Sequence, residues 1–247
     1  MSMTAIIGGT GLTDLDGLNI QREEVLETCW GAVSAPVLIG DFHGHEIVFL
    51  ARHAQDHSLP PHKINYRANI QALELLGVDR IIAVNAVGGI TEGMCGGVIC
   101  IPDQIIDYTS NREHTFFSDD FEVTNHIDFT MPYDEKLRQS LIQGAIQVGL
   151  NIRQGGVYGC FNGPRLETAA EIRRMERDGC DLTGMTGMPE AALARELGLS
   201  YASICLVVNR AAGKADGEIT IDGIRQVLVE GMQKVRQLIE ASLVLIR

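Results

Sequence analysis

Residues 80–89 read Arg80-Ile81-Ile82-Ala83-Val84-Asn85-Ala86-Val87-Gly88-Gly89, an apolar run that ends in a carboxamide and small residues. Residues 81–84 show no polar alternation, which is typical of a strand covered on both faces in a parallel sheet. In open α/β sheets, ligands bind beyond the carboxyl ends of such strands. This stretch therefore predicts an α/β fold, and it places a candidate ligand contact in the turn after Val84.

Similar short apolar runs recur along the chain and predict further strands, at residues 4–7, 46–50, 156–160, 182–185 and 201–208. Helical patterns alternate with them, and this alternation is typical of an α/β fold with a largely parallel sheet. A chain of 247 residues fits one large domain. Since no linker, internal repeat or low-complexity segment interrupts it, we predict a single domain over residues 1–247.

Apolar residues at helical spacing mark the helices between these strands. Asp134 is a good N-cap, Thr168 opens a capping box with Glu171, and Pro189 suits a first helical position. Residues 107–132 are an irregular stretch, and loops of that length are usually functional or contact a partner. The three apolar stripes are Tyr66, Ile70, Leu73 and Leu76; Leu137, Leu141, Ala145 and Val148; and Ile224, Leu228, Met232, Val235, Ile239 and Leu243.

The composition excludes several classes of function. A net charge of −12 without a Lys or Arg block argues against nucleic acid or an anionic membrane as the main partner. The six cysteines form no CxxC pair and predict reduced, mostly buried thiols, with a Cys95–Cys100 disulfide as the alternative. No apolar run approaches ~18 residues, so we expect no transmembrane helix. No charged leader precedes a long apolar core, so we expect no signal peptide and a cytoplasmic protein.

Three turns after predicted strands carry groups suited to an anion. Gly8-Gly9-Thr10-Gly11 offers backbone N–H groups and a hydroxyl, although a plain tight turn is an equal alternative. Arg52-His53 follows the second strand, and the Arg52 fork of donors suits phosphate or a surface salt bridge. Residues 85–89 supply the third turn. Together they favour one ligand site at this edge of the sheet.

Three later motifs also fall near strand ends, and they add a carboxylate, a hydroxyl and a carboxamide. Glu167 lies in the stretch Gly163-Pro164-Arg165-Leu166-Glu167-Thr168. Met185 and Thr186 belong to a second motif, residues 184–190, and Asn209 ends Val207-Val208-Asn209. A parallel sheet gathers such side chains at one edge.

Together these motifs resemble the trimeric purine nucleoside phosphorylase and methylthioadenosine phosphorylase family, from Gly8 to the terminal helix. The resemblance implies a mixed, largely parallel twisted sheet flanked by helices. It also implies a homo-oligomer, a trimer, in which each active site borrows residues from a neighbour. His126, within the long stretch 107–132, falls where that contribution would come. The implied partners are a nucleoside, phosphate and further copies of the chain.

The same resemblance implies roles for individual residues. Met185 would lie under the ribose, while Glu167 and Asn209 would contact the base. The implied phosphate site consists of Thr10, Arg52, His53, Ala86 and Thr186.

Hydrogen bonding at the base distinguishes two branches of that family. A 6-oxopurine carries a proton on N1, which a carboxylate accepts, and an oxygen at C6, to which a carboxamide donates. Adenine presents the reverse pattern, and a buried group left unpaired costs about 1–3 kcal/mol. The adenine branch has a small hydroxyl residue in place of Glu167 and aspartates where Asn209 and Ala211 stand. This chain therefore resembles the 6-oxopurine branch, unless Glu167 only caps or salt-bridges the helix after Thr168.

The opposite end of the ribose points to a different substituent. Members acting on ordinary nucleosides have a histidine near the start of the last helix, whereas Ile221 stands at the matching place here. An apolar pocket leaves a 5′-hydroxyl unpaired and accepts a methylthio group. Ile224 fits a core position better. His57 is assigned either to the same end of the sugar or to a structural role.

A 6-oxopurine base site and an apolar 5′ pocket together predict phosphorolysis of 5′-methylthioinosine. Asn209 would stabilise charge on the departing base, and Glu167 would hold its N1–H. The alternatives are an inosine and guanosine phosphorylase, a methylthioadenosine phosphorylase, or a non-catalytic nucleotide-binding module. No spacing typical of a metal cluster occurs, so we expect no metal and no cofactor, with inorganic phosphate as co-substrate.

Overall fold

The computed structural model describes residues 3–246. Six strands precede the first helix, and strands and helices alternate one by one, as the sequence predicts, only from residue 157 onward. The strands are β1 (Met3–Gly8), β2 (Leu18–Glu24), β3 (Glu27–Thr28), β4 (Gly31–Ala32), β5 (Val37–Phe42), β6 (His45–Ala51), β7 (Val78–Gly89), β8 (Ile99–Ile101), β9 (Gln104–Asp107), β10 (Ile152–Gln154), β11 (Val157–Cys160), β12 (Leu182–Gly184) and β13 (Ser200–Arg210). The helices are α1 (Tyr66–Leu75), α2 (Glu135–Gln147), α3 (Ala169–Arg177), α4 (Gly187–Glu196) and α5 (Ile221–Leu243).

One eleven-stranded mixed sheet organises residues 3–246, and its centre is parallel. Strands β6, β1, β7 and β13 lie side by side in that order and run in the same direction. Strands β5 and β8 pair antiparallel at the two sides of this centre. A branch formed by β12, β11 and β9 continues from the end of β7. The α/β prediction with a mixed, largely parallel sheet is confirmed.

Strand β7 is longer than the sequence predicts. It continues through Asn85 and Ala86 to Gly89, because β13 pairs with it from Arg80 to Gly89, with Cys205 opposite Asn85 and Leu206 opposite Ala86. The expectation of a turn at residues 85–89 is therefore wrong. Asn85 and Ala86 are still candidates for the ligand site, since they lie within the last five residues of β7.

The predicted helix signals are confirmed at the starts of the helices. The Asp134 side chain caps α2 by accepting from the Leu137 N–H at 2.8 Å. Thr168 and Glu171 form the capping box that opens α3. In α4 the Met188 backbone is extended, so the regular helix starts at Pro189. One stripe position is wrong: Val148 is exposed, because α2 ends before it.

Helix α5 packs its apolar stripe on the sheet. Leu228, Met232, Val235, Ile239 and Leu243 are buried, as predicted, while Ile224 is half-buried. Residues 107–132 are irregular after β9 apart from a single 3-10 turn at Val123–Asn125.

The cysteines are all free, with Cys29 and Cys95 exposed and the other four buried. The Cys95–Cys100 disulfide is thus not formed. Within residues 3–246, none of the helices combines the length and apolar character needed to cross a bilayer. The same residues hold no group of three or more His, Cys, Asp or Glu side chains arranged to bind a metal ion.

Candidate active site

Strands β1 and β6 end beside each other, which places the glycine turn next to the Arg52-His53 stretch. The Arg52 N–H donates to the Gly8 carbonyl at 3.0 Å. The Thr10 hydroxyl lies 3.4 Å from His57 Nε2, and the His57 ring lies 4.6 Å from the His53 ring between centroids. Thr10, His53 and His57 thus form one cluster at the carboxyl edge of the sheet, as the phosphate-site prediction requires for the first two.

His53 is neutral at physiological pH. Its Nδ1 donates to the Leu59 carbonyl at 2.8 Å, because a carbonyl can only accept. Burial, followed by the charge of Arg52, lowers the pKa of His53 from 6.5 to about 4. Its Nε2 therefore carries a lone pair, and it can accept a hydrogen bond from a ligand oxygen that carries a proton.

The pKa of His53 predicts a pH dependence of stability. Between pH 4 and 6.5 the unfolded chain binds a proton that the native His53 does not, so stability rises with pH by up to about 1.4 kcal/mol per pH unit. In His53→Asn, which removes the titrating ring, this contribution is expected to vanish. Urea unfolding of both proteins between pH 4.5 and 7 measures it. Parallel pH profiles for the two proteins would contradict the prediction.

The Arg52 guanidinium is buried at the base of the site and holds Glu190 of α4. Its Nε and Nη2 donate to the two Glu190 carboxylate oxygens at 2.6 and 2.7 Å, and Nη1 donates to the Val84 carbonyl at 3.0 Å. Burial acts to lower the pKa of Arg52, but the Glu190 charge and hydrogen bonds raise it overall. Direct donation by Arg52 to phosphate stays a prediction, because its Nε, Nη1 and Nη2 already donate to Glu190 and Val84.

Thr186 lies between β12 and α4 and belongs to a buried hydrogen-bond chain. Asn85 Nδ2 donates to Thr186 Oγ1 at 2.8 Å, and the Ser203 hydroxyl donates to Asn85 Oδ1 at 2.7 Å. Because Asn85 is fixed by Ser203, it fixes Thr186 in turn. Ala86 is the next residue of β7 and is half-buried.

A second group of predicted residues lines a cavity of about 590 Å³ beyond the end of β13. Glu167 and Asn209 both lie on its wall, with Ala211 beside them. Glu167 is 8% exposed, and Ala211 is buried. Asn209 Nδ2 donates to the Arg210 carbonyl at 2.7 Å, which leaves its second N–H and its oxygen for a ligand. The structure thus brings the predicted base contacts into one cavity.

The Glu167 carboxylate is held from one side by Thr183. The Thr183 hydroxyl donates to Glu167 Oε1 at 2.6 Å. Burial raises the pKa of Glu167, and the Thr183 hydrogen bond opposes that rise. Thr168, not Glu167, caps α3, and Arg165 pairs with Glu171 at 2.8 Å. The alternative that Glu167 only caps or salt-bridges this helix therefore does not describe the structure.

Met185 follows β12 and packs on the turn that leads to Glu167. A Cβ atom placed on Gly163, whose φ is +63°, would lie 2.5 Å from the Met185 sulfur. Only glycine lets the two segments approach this closely. The Met185 side chain therefore packs against the segment that carries Glu167, next to Gly163.

The prediction for the 5′ pocket needs a correction. Ile221 is 62% exposed and does not line the cavity, because it is the first residue of α5 and lies on its outer side. Ile224, assigned to the core from sequence, lines the cavity while also packing on the core. His126 is exposed, and its ring lies 5.1 Å from the Phe121 ring, away from the cavity of its own chain.

Sequence reasoning missed Thr183 and Glu190, and it placed Asn85 in a ligand turn rather than in a buried contact with Thr186. Glu190 stands within the motif 184–190, but its partner Arg52 is 138 positions away. Thr183 precedes the same motif and reads as an ordinary strand residue. No spacing signal identifies these contacts, because each depends on which strands become neighbours.

The comparisons with known proteins identify the family. The phosphorylase superfamily matches residues 4–244. A probable S-methyl-5′-thioinosine phosphorylase of Pseudomonas syringae pv. tomato is 56% identical over 96% of both chains. A 6-oxopurine nucleoside phosphorylase of Pyrococcus furiosus is 44% identical and covers all of this chain and 94% of its own. Methylthioadenosine phosphorylase from Schistosoma mansoni in complex with adenine has a TM-score of 0.94 and 30% identity, over 99% of this chain and 92% of its own.

The chain therefore belongs to the phosphorylase superfamily. It is an enzyme, a pentosyltransferase of the nucleoside phosphorylase type.

Proposed function

We propose that the chain catalyses phosphorolysis of S-methyl-5′-thioinosine, which yields hypoxanthine and 5-methylthioribose 1-phosphate. The observation that carries this proposal is that Glu167 and Asn209 line one cavity with Ala211. The names of relatives such as the Pseudomonas protein support it. The reaction needs inorganic phosphate as co-substrate, and we propose that it proceeds without a metal ion or a cofactor.

The base contacts favour a 6-oxopurine. An ionised Glu167 only accepts hydrogen bonds, which matches the proton on N1 of hypoxanthine. Asn209 has an N–H left to donate to O6 or N7 of the same base. Adenine would set a lone pair on N1 against the Glu167 carboxylate, and that unpaired contact costs about 1–3 kcal/mol.

The wall near the start of α5 favours a methylthio group over a hydroxyl. Val208, Ile219 and Ile224 line the cavity there with apolar atoms, and the Thr220 hydroxyl beside them accepts from the Gly223 N–H at 3.2 Å. A buried hydroxyl without a partner is unfavourable, whereas a thioether is comfortable on such a surface. Ile224 thus takes the role that the sequence assigned to Ile221.

The reaction itself is a displacement at the anomeric carbon. A phosphate oxygen forms a bond to C1′ as the C1′–N9 bond breaks, and the electron pair of that bond leaves with the purine. We propose that Thr10, His53, Thr186 and the Ala86 backbone orient phosphate in line with the leaving base. Asn209 stabilises the charge that grows on N7 and O6, and Glu167 fixes the base through N1–H.

We propose that the protein works as a homotrimer in the cytoplasm. His126 and Phe121 lie together on an exposed part of the stretch 107–132. Placed against a neighbouring chain, this pair would supply the residue that the resemblance implies each site borrows. Analytical ultracentrifugation measures the number of chains.

Phosphorolysis of methylthioinosine, inosine and methylthioadenosine, measured side by side, tests the substrate. Methylthioinosine is expected to have the highest kcat/KM, about 10-fold or more above inosine because a thioether replaces an unpaired hydroxyl in the apolar wall. Preference for inosine would assign the chain to the ordinary 6-oxopurine enzymes. Preference for methylthioadenosine would overturn the base site, and no phosphate-dependent base release would leave only a binding module.

A further inference from the structure

Thr183 lies outside every predicted contact, yet it touches Glu167 directly. It is the middle residue of β12, it is 3% exposed, and its hydroxyl donates to Glu167 Oε1 at 2.6 Å. The short distance is typical of a hydrogen bond to an ionised carboxylate. A buried contact of this kind acts on the charge state as well as on the orientation of Glu167.

The direction of the Thr183 side chain is set by the sheet. Strand β12 pairs antiparallel with the end of β7, so that Thr183 stands opposite Gly88. A Cβ atom on Gly88 would lie 3.2 Å from Thr183 Cγ2, so the methyl group occupies the space that Gly88 leaves open. A β-branched side chain has few χ1 states. With its methyl against Gly88, the hydroxyl stays on Glu167.

We propose that Thr183 is a positioning residue that determines base selectivity, because its hydroxyl holds Glu167 in the ionised, acceptor-only form. This inference rests on the proposed function and deepens it. An ionised Glu167 accepts the N1 proton of hypoxanthine. A protonated Glu167 would instead donate to the bare N1 of adenine, and selectivity would fall.

Two opposing effects act on the proton affinity of Glu167. Burial raises its pKa, and the Thr183 hydrogen bond is the first effect that lowers it. Glu171 raises the pKa and Arg165 lowers it, but these two side chains are paired with each other. The other charged groups on the cavity wall are Arg210, Asp216 and Glu218. A substitution that keeps the side-chain shape of residue 183 but removes its hydroxyl is therefore expected to raise the pKa of Glu167, because burial is then less opposed.

Thr183→Val keeps the volume and removes the hydroxyl. We expect the hypoxanthine-over-adenine affinity ratio, measured by calorimetry from pH 5 to 8, to fall about 10-fold and to fall further as the pH decreases. The acid limb of kcat/KM for methylthioinosine is expected to move to higher pH, because the hydrogen bond that opposes the rise of the Glu167 pKa is gone. Thr183→Ser restores the hydroxyl and is expected to restore both profiles.

The matched control is Thr91→Val. The Thr91 hydroxyl also donates to a carboxylate, Asp181 Oδ1 at 2.8 Å, but neither residue lines the cavity. Its pH profile and base selectivity are expected to match the wild type. Thr183→Ala is the second variant and decides the same question should the valine variant not fold.

Several outcomes would overturn the inference. They are an unchanged base ratio in the Thr183→Val protein, an equal loss for both bases without a shift in pH profile, or a Thr183→Ser protein that behaves like the valine variant. Because base binding is measured without catalysis, the proposed function fails separately. A wild type that binds hypoxanthine but releases none from nucleosides overturns only the reaction, and one that binds neither base overturns both.

Discussion

Replacing Asn209 with alanine is expected to lower kcat/KM for the 6-oxopurine nucleoside by about 10²–10³-fold, the typical effect of losing one preorganised donor at developing charge. Asn209 is fixed before the reaction begins, since its amide is bonded to the Arg210 carbonyl at 2.7 Å. Its remaining N–H is available where the departing purine gains electrons. The loss is expected mostly in kcat, because this charge is present in the transition state and small in the ground state.

Steady-state kinetics with methylthioinosine and phosphate measures the effect of Asn209→Ala. Asn151→Ala is the matched control, since Asn151 is exposed between α2 and β10 and does not line the cavity. Its kcat and KM are expected to equal those of the wild type. A rise in KM at unchanged kcat in the Asn209 variant would show uniform binding, and it would remove Asn209 from the charge-stabilising role.

The hydrophobic pattern predicts the centre of the sheet well and its edges poorly. Strands such as β1 and β7 carry their own signal, because each contains a buried apolar run, residues 5–7 in β1 and 81–84 in β7. Strand β2 is nearly all exposed and polar, and it forms because β5 offers it an antiparallel partner. The strands β8 and β10 have three residues each, too few to show a period. These two strands form by pairing with neighbouring strands, which the local sequence does not predict.

The candidate site also has residues that the local sequence indicates and residues that only packing decides. Glu167 and Asn209 stand near predicted strand ends, which places them at one edge of a parallel sheet, and both line the cavity. Their roles at the base, implied by the family resemblance, stay a prediction. The exchange between Ile221 and Ile224 was not predictable in this way. The two residues are one helical turn apart, and the segment before α5 has no periodicity that sets how the helix enters. Which isoleucine faces the cavity is decided by packing on the sheet.

The contact between Arg52 and Glu190 is another feature that only the fold reveals. Both side chains are almost fully buried, at 0% and 1% exposure. The Tyr201 hydroxyl donates to Glu190 Oε1 at 2.9 Å and completes the pair. The pair joins the end of β6 to α4, the helix that starts after Thr186.

Glu190→Ala is expected to lower the free energy of unfolding by about 3–5 kcal/mol, because it leaves the Arg52 charge buried without its partner. Urea unfolding at one fixed protein concentration measures the loss. Arg52→Met combined with Glu190→Met removes both charges, and it is expected to recover most of the stability. Glu24→Ala, which breaks the partly exposed pair with Arg22 at 3.0 Å, is the control and is expected to change little. Equal losses for Glu190→Ala and for the double methionine variant would mean that packing, rather than charge, holds α4 against the end of β6.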